Sequence, residues 1–355
     1  MKLSIQKYRL DFTFRAGTSR GVMTSKDSWF LKLADEQHPD YFGLGECGPL
    51  PGLSPDLAGD LPAQIEQLTT RLDLVDEFTG DDVRQLIPPQ YPALRFALET
   101  ALLDLKNGGK RMLFDNAFSR SSGEIPINGL VWMGEKPQML QRIKNKIEDG
   151  FTCIKIKIGA IDFGEELSLL RYIRKEFGPE EITIRLDANG AFSQSEALEF
   201  LKRLSEYHIH SIEQPIAQGD WEAMAALCDD PIIPIALDEE LIGIHENDEM
   251  DRLLETIKPQ YIILKPTLVG GLQKSASWIS KAKERNIGWW VTSALESNIG
   301  LNAIAQFTAN YPIEMPQGLG TGQLFHNNIG SPLQITNGYL KYAAEGDWDL
   351  SSLEL

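Results

Sequence analysis

CIKIK, at residues 153–157, is a short alternating run that ends in a lysine and precedes a stretch with helical periodicity. Five later runs also end in a polar residue and precede helical stretches: ITIRLD, HSIE, PIALD, YIILK and GWWVTS. The residues that close the six runs are separated by 30, 26, 25, 27 and 28 positions: Lys157, Asp187, Glu213, Asp238, Lys265 and Ser293. This spacing is the length of one strand–helix unit, so it predicts a closed parallel barrel.

The six closing residues are expected to meet at one end of that barrel. In a parallel barrel the C-terminal ends of all strands surround a single mouth, where the active sites of this fold lie. Carboxylate oxygens are hard ligands that suit Mg²⁺, with water or substrate completing its coordination. We therefore predict that Asp187, Glu213 and Asp238 bind Mg²⁺, which Mn²⁺ could replace, and that lysines act beside the metal as acid and base.

Two lysines of the first run share one face of their strand, because side chains alternate and the isoleucines take the other face. Neither face of a parallel sheet is normally in water, so Lys155 and Lys157 should point into the barrel; on an edge strand they would form a solvated face. A neighbouring ammonium and a divalent ion disfavour a protonated lysine, which favours Lys157 as the general base beside a charged, catalytic Lys155. Lys265 would face them across a bound substrate, and it could also pair with Asp238.

The chain divides into two parts. Strand-like runs within residues 1–45 and helical periodicity from about 57 to 108 predict an α+β domain over residues 1–122. A barrel over residues 123–320 is predicted by eight strand candidates, with helical stretches between them, that begin near residues 125, 152, 182, 209, 233, 261, 287 and 313. Residues 321–355 contain a hairpin with an Asn-Gly turn and are expected to return to the first domain.

Composition argues against several classes of protein. The net charge of −17 disfavours a nucleic-acid or anionic-membrane partner, because phosphate contacts need clustered cations. No apolar run approaches the roughly 18 residues that a membrane span needs. Cys47, Cys153 and Cys228 are odd in number and far apart, so we expect core thiols in a cytoplasmic protein without an export signal. The stretch GLGECG at 43–48 matches a dinucleotide pattern, but prolines follow where the helix of such a site must begin.

The motifs KIK, DAN, EQP, LDEE and LKP, in this order and spacing, resemble those of the muconate-lactonising subgroup of the enolase superfamily. Within it the chain is most similar to the o-succinylbenzoate synthase family of menaquinone biosynthesis. The likeness covers essentially the whole length, including GECGPLPG at 45–52 and the barrel opening at 127–129. It implies an α/β fold, a (β/α)7β TIM-like barrel with an α+β capping domain.

The resemblance also implies a chemistry: Mg²⁺ on the three carboxylates, Lys157 as the base and Lys265 facing it across the substrate. The implied reaction dehydrates a small anionic carboxylate, 2-succinyl-6-hydroxy-2,4-cyclohexadiene-1-carboxylate, to 2-succinylbenzoate. Lys157 would remove the proton next to the ring carboxylate and then protonate the departing hydroxyl. Lys265 would stabilise charge without transferring protons.

Further substrate contacts are predicted at Asn189, Ser293, Glu296, Arg20 and Gly320. Arg20 belongs to the loop FRAGTSRG at 14–21, which could reach the succinyl carboxylate or form a solvated loop. Gly320 belongs to GLGTG at 318–322, whose backbone amides could bind an anion or form a plain turn.

Other functions remain open on the sequence. N-acylamino-acid racemases and dipeptide epimerases share this site and use both lysines as opposed bases. Such racemases usually carry a glycine-rich segment before the Glu after the seventh strand and a Ser after the Asp-Glu pair, whereas the chain has TSALES at 292–297 and DEE at 238–240. A Schiff-base aldolase would not need three carboxylates in register, and a non-catalytic binding barrel would be expected to lack a ligand or a lysine. The oligomeric state is undetermined.

Overall fold

The computed structural model describes residues 1–18, 21–34, 41–72 and 80–354. Its N-terminal part contains an antiparallel sheet in the order β1-β2-β3, formed by Lys2–Thr18 (β1), Gly21–Ala34 (β2) and Phe42–Cys47 (β3). Alternation of apolar and polar residues allows one face of such a sheet to pack inward while the other meets solvent. These strands confirm the three strand-like runs expected in this region.

Three helices share one apolar core with this sheet: Leu61–Leu72 (α1), Gly80–Leu86 (α2) and Pro92–Lys106 (α3). A short 3₁₀ helix, Pro55–Leu57, precedes them. Helix α3 lies directly on β3, where a Cβ at Gly43 would be 1.8 Å from the carbonyl oxygen of Ala101. The first two glycines of the dinucleotide-like pattern, Gly43 and Gly45, therefore serve close packing of a helix on a strand.

A short strand, Glu124–Pro126 (β4), leads into a parallel sheet of seven strands. The seven strands are Gly129–Val131 (β5), Cys153–Lys157 (β6), Thr183–Asp187 (β7), Ser211–Glu213 (β8), Ile235–Leu237 (β9), Tyr261–Leu264 (β10) and Gly288–Val291 (β11). They lie in sequence order across the sheet, as the repeated strand–helix unit predicts.

Helices occupy every gap between these strands and also follow β11: Lys136–Glu148 (α4), Phe163–Glu176 (α5), Gln194–Ser205 (α6), Trp221–Cys228 (α7), Asn247–Ile257 (α8), Pro266–Val269 (α9), Leu272–Glu284 (α10) and Asn298–Thr308 (α11). A second 3₁₀ helix, Glu239–Leu241, follows β9. Aliphatic side chains of the strands and helices together form the largest apolar core of the molecule.

The C-terminal hairpin pairs Leu333–Thr336 (β12) with Tyr339–Tyr342 (β13). Its turn residues, Asn337 and Gly338, have φ angles of 51° and 75°, the left-handed conformations that an Asn-Gly hairpin turn requires. The predicted hairpin is therefore confirmed.

Two predicted barrel strands differ in the structure. The run near residue 125 forms β4, which pairs with β13 in a separate sheet, so the barrel begins at Gly129. Near residue 313, in a described part of the chain, no strand forms, and closure is made by isolated bridges at residues 317 and 318. The amide of Gln317 donates to Pro126 O at 2.8 Å, and that of Gly318 donates to Val291 O at 2.8 Å.

The C-terminal segment contacts both parts of the molecule. Its hairpin joins β4, whereas Leu324 O accepts a hydrogen bond from the Thr13 amide of β1 at 2.8 Å. An apolar cluster that includes Phe12, Leu50, Trp132 and Leu295 joins the N-terminal sheet to the barrel mouth. The boundaries at 122/123 and 320/321 stay predictions.

Candidate active site

The strand register brings polar residues to one level at the C-terminal end of the sheet. Lys157 of β6 pairs with Asp187 of β7, and Asp187 pairs with Glu213 of β8. Asp238 and Lys265 directly follow β9 and β10. Inward-facing side chains recur at every second residue, which places another lysine one layer deeper than Lys157. These charged residues form a group that we call the mouth cluster: Lys155, Lys157, Asp187, Glu213, Asp238 and Lys265.

Each ammonium of the mouth cluster contacts a carboxylate. Lys155 Nζ lies 2.9 Å from Asp187 Oδ2 and also contacts Glu213 Oε2. Lys157 Nζ lies 2.9 Å from the same Asp187 oxygen. All four side chains are nearly buried, with Lys157 the most exposed of them at 11 %. The two lysines of β6 therefore point into the barrel, as the alternation of that strand predicts.

Lys265 lies beside the remaining carboxylates. Its ammonium contacts Asp238 Oδ2 and lies 3.8 Å from Glu213 Oε1. The predicted Lys265–Asp238 ion pair is therefore present, and it leaves Lys265 in the same cavity as Lys157. Asp187 thus pairs with the two lysines of β6 and Asp238 with Lys265, while Glu213 lies near Lys155 and Lys265.

Burial and charge act in opposite directions on the mouth cluster. Burial alone would raise the pKa of Asp187, but neighbouring lysines outweigh it and hold this pKa far below its usual range. Burial is likewise outweighed at Asp238, where Lys265 lowers the pKa. Burial raises the pKa of Glu213 well above its usual range, and the charge of Asp187 acts in the same direction. Glu213 is thus the carboxylate whose charge is least compensated by its surroundings.

The carboxylates of the mouth cluster suit a hard divalent cation. Only 2 % of Glu213 is exposed, and its carboxylate contacts the ammonium of Lys155 and lies 3.8 Å from that of Lys265. In the described ranges, no three acidic, imidazole or thiol groups already converge on one point, because lysine ammonium groups lie between the carboxylates. Three buried carboxylates on successive strands nevertheless form the oxygen donor set that such a cation needs.

A cavity of about 300 Å³ opens beside the mouth cluster. Seven of the predicted site residues line it: Lys155, Lys157, Asp187, Asn189, Lys265, Ser293 and Gly320. Glu213 and Asp238 lie behind the lysines and are outside the lining. A small substrate in this cavity would therefore meet lysines first and the deeper carboxylates only through an ion that they hold.

Asn189 is a second hydrogen-bond acceptor for Lys157, in addition to Asp187. Lys157 Nζ donates to Asn189 Oδ1 at 2.8 Å, and Asn189 Nδ2 donates to Glu239 Oε1 at 3.1 Å. The φ angle of Asn189 is 46°, a left-handed conformation that asparagine tolerates better than most residues. Asn189 thus orients the ammonium of Lys157, in addition to lining the cavity.

Glu296 lies elsewhere than predicted. It is fully buried and absent from the cavity lining, and it accepts hydrogen bonds from Thr267 Oγ1 at 2.5 Å and from the Ala294 amide at 2.7 Å. The structure places it behind the cavity wall, a position that does not support the predicted substrate contact. Arg20 lies outside the described residues, so its predicted contact stays a prediction.

The sequence reasoning missed an apolar wall of the cavity. Leu50, Pro51 and Leu53 reach it from the turn after β3, and Trp132 reaches it from the loop after β5. This turn is part of GECGPLPG at 45–52, which carries the family resemblance, and no substrate contact was predicted there. Its apolar residues among prolines and glycines were an available signal, because a turn that faces solvent would be mostly polar.

The predicted glycine-rich anion site is partly explained by packing. A Cβ at Gly318 would lie 1.5 Å from Thr292 Oγ1, so this glycine is required for barrel closure. Gly320 lines the cavity.

The three cysteines are buried and free. Within the described ranges, no helix has the length and apolar character needed to cross a membrane.

Comparisons with known proteins identify the family of this chain. A family model described as "Enolase C-terminal domain-like" matches residues 138–346. The chain is 47% identical, over 366 aligned residues, to an o-succinylbenzoate synthase from Desulfotalea psychrophila, with 96% of this chain and 98% of that protein covered.

Solved structures show the same fold. The crystal structure of MenC from Desulfotalea psychrophila matches with a TM-score of 0.86 at 44% identity, covering 96% of this chain and 99% of that one. The L-Ala-D/L-Glu epimerase from Bacillus subtilis matches with a TM-score of 0.83 at 18% identity over 99% of this chain and 100% of that one, a likeness of fold alone. The predicted TIM-like barrel with an α+β cap is confirmed. This chain belongs to the o-succinylbenzoate synthase family of the enolase superfamily.

Proposed function

We propose that this protein catalyses the Mg²⁺-dependent dehydration of 2-succinyl-6-hydroxy-2,4-cyclohexadiene-1-carboxylate to 2-succinylbenzoate in menaquinone biosynthesis. The observation that carries the reaction is the 47% identity to an o-succinylbenzoate synthase over nearly the full length of both chains. The mouth cluster supports the assignment of roles to individual residues.

Members of this superfamily use a divalent metal ion, and here we assign it to Asp187, Glu213 and Asp238. When bound, the ion supplies positive charge that stabilises the negative charge developing on the substrate carboxylate. With Lys157 as the neutral base, three carboxylates, two charged lysines and a divalent ion would leave one excess positive charge in the mouth cluster. That charge favours an anionic substrate.

Lys157 is assigned as the base. Its ammonium lines the cavity, and its two acceptors, Asp187 and Asn189, fix the position of Nζ. As a neutral amine it removes the proton next to the ring carboxylate, and the electrons of the C–H bond delocalise into that carboxylate. They return to form the new ring double bond as the C–O bond at the hydroxyl carbon breaks, the proton passes from Lys157 to the departing oxygen, and water leaves.

Lys265 is assigned an electrostatic role. Its ion pair with Asp238 keeps a positive charge beside the cavity, where negative charge develops on the substrate. Since one base both removes and returns the proton, the reaction needs no second base. In an N-acylamino-acid racemase, by contrast, Lys265 would have to transfer protons as well.

The test is an assay of the purified protein with the cyclohexadiene substrate and with N-succinyl amino acids of both configurations, each with Mg²⁺ and with EDTA. We expect metal-dependent formation of 2-succinylbenzoate as the main activity. Efficient racemisation without measurable dehydration would replace the proposed function with the racemase.

A further inference from the structure

Lys26 of β2 is a buried lysine that the proposed chemistry does not use. Only 3 % of it is exposed. Its Nζ donates to Gly48 O and to Leu295 O, each at 2.9 Å. An ammonium removed from water needs such acceptors, because burying it without them is strongly unfavourable.

The two carbonyls belong to two different segments that contribute residues to the cavity wall. Gly48 begins the capping-domain turn that brings Leu50 and Leu53 to the cavity. Leu295 ends the barrel segment 292–295, every residue of which lines the cavity. One ammonium group therefore joins a wall from the capping domain to a wall from the barrel.

Two buried glutamates accompany Lys26. Glu46 of β3 accepts hydrogen bonds from Ser28 Oγ at 2.8 Å, from Ser297 Oγ at 2.6 Å and from the Gly300 amide at 3.1 Å, and so ties β3 to the start of α11. Glu296 holds the Ala294 amide. We call Lys26, Glu46 and Glu296 the junction cluster.

The backbone around the junction cluster is closely packed and constrained. A Cβ at Gly48 would lie 2.9 Å from Lys26 Nζ. Leu295 has a φ angle of 63°, a left-handed conformation that is sterically disfavoured for leucine and persists only where the surroundings impose it. Hydrogen bonds flank this residue, from Lys26 to Leu295 O and from the Ala294 amide to Glu296.

We propose that Lys26 is a positioning residue that holds the capping-domain turn and segment 292–295 at the separation that the substrate requires. This inference rests on the proposed function, because it concerns the apolar wall of the same cavity. Lys26 touches neither the cavity nor the mouth cluster, so it would act on substrate binding through Leu50, Leu53 and Leu295.

The test compares Lys26→Met with Lys32→Met in steady-state dehydration. Methionine keeps most of the apolar stem and removes the ammonium. Lys32 lies on the same strand, and its ammonium lies over the ring of Phe42 at 4.6 Å, outside the cavity lining. We expect Lys26→Met to raise KM at least tenfold, with kcat within threefold of the wild type, at a temperature well below its unfolding midpoint. Lys32→Met should leave KM within twofold.

A second variant guards against a failure to fold. Lys26→Met/Glu46→Gln removes one positive and one negative charge together, so it avoids the unpaired buried carboxylate that the single change leaves. It should show the same rise in KM. A lower midpoint with KM unchanged, a fall in kcat alone, or failure of both variants to fold would each overturn the proposal and leave Lys26 a purely structural residue.

The metal distinguishes this inference from the proposed function. The Mg²⁺ concentration for half-maximal activity should be the same in Lys26→Met and the wild type, since the carboxylates assigned to the metal do not belong to the junction cluster. Absence of dehydration by the wild type contradicts the proposed function. Normal wild-type dehydration with an unchanged KM in the variants contradicts only the role of Lys26.

Discussion

The mouth cluster and the junction cluster both bury lysines beside carboxylates, but they use different partners. In the mouth cluster the ammonium of Lys157 donates to side chains, Asp187 and Asn189. In the junction cluster the ammonium of Lys26 donates to two backbone carbonyls, and Glu46 accepts from hydroxyl groups and backbone amides. The Lys157 ammonium thus meets side chains that can move, whereas the Lys26 ammonium meets fixed backbone groups.

This difference has a functional consequence. An ion pair between two side chains can be exchanged for a metal ion or a substrate carboxylate, because both partners can reorient. A lysine bound to two carbonyls cannot be displaced without leaving those carbonyls unsatisfied. The mouth cluster is therefore suited to chemistry and the junction cluster to holding geometry.

Removal of divalent metal should have the largest effect on activity, and it should act on the mouth cluster alone. We expect EDTA to reduce dehydration to background and excess Mg²⁺ or Mn²⁺ to restore it, because the carboxylates of the mouth cluster require a cation. Asp187→Asn should raise the metal concentration needed for activity. Full turnover in EDTA, with metal shown to be absent by elemental analysis, would remove the metal from the mouth cluster.

Loss of the base should come next. Lys157→Ala is expected to lower kcat by about 10³-fold, within the usual range for general acid–base catalysis. Lys157→Arg should be equally inactive, because a guanidinium keeps its proton near neutral pH. Lys144→Ala, on helix α4 outside the cavity lining, is the control. Retention of more than a tenth of wild-type turnover by Lys157→Ala would place the base elsewhere.

Lys265 should show a smaller and graded effect. Lys265→Ala is expected to lower the dehydration kcat by about 10²-fold, the usual effect of losing one electrostatic donor, and Lys265→Arg should retain more activity because it keeps the charge. Any racemisation of N-succinyl amino acids should be lost in both variants. Deuterium incorporation from solvent, followed for each enantiomer, checks this; equal dehydration by the two variants would contradict a role of charge.

The smallest effect concerns stability in the junction cluster. Burial raises the pKa of Glu296 above its ordinary value, against the opposing charge of Lys26. The folded protein therefore keeps a proton that the unfolded chain has already lost. Between the unfolded and folded pKa values, the wild type should lose stability relative to Glu296→Gln as pH rises, by about 1.4 kcal/mol per pH unit.

Denaturant unfolding across the pH range measures this difference. The same substitution at Glu199, on the exposed face of α6, controls for the change from carboxylate to amide. Parallel stability curves for the wild type and Glu296→Gln would show that Glu296 has the same pKa in the folded and unfolded protein. That result would contradict an effect of burial on this carboxyl group.

Much of the barrel was predictable from local pattern. The strands that carry Lys157, Asp187 and Glu213 were expected in this order, and the structure sets them level. The first and last barrel strands were not predicted correctly, because a short apolar run can pair with any available edge. The run at β4 pairs with β13, and barrel closure needs only bridges at residues 317 and 318.

The candidate site divides in the same way. Lys155, within β6, and Lys265, directly after β10, could be placed from the alternation of side chains and the repeat length. Glu296 could not, because it follows a strand by several residues, where the path of the loop decides its direction. Its burial depends on Thr267 and on the left-handed Leu295, neither of which a local pattern reveals.

The sequence by itself determined the repeat of strand and helix, and with it the gathering of lysines and carboxylates at one mouth. It could do so because side-chain alternation and the length of a strand–helix unit are local properties. Only the tertiary structure decided that Lys26 meets Leu295, a residue 269 positions away. Hydrogen-bond partners of a buried charge are chosen by the packed chain as a whole, since every acceptor must be found after water has been removed.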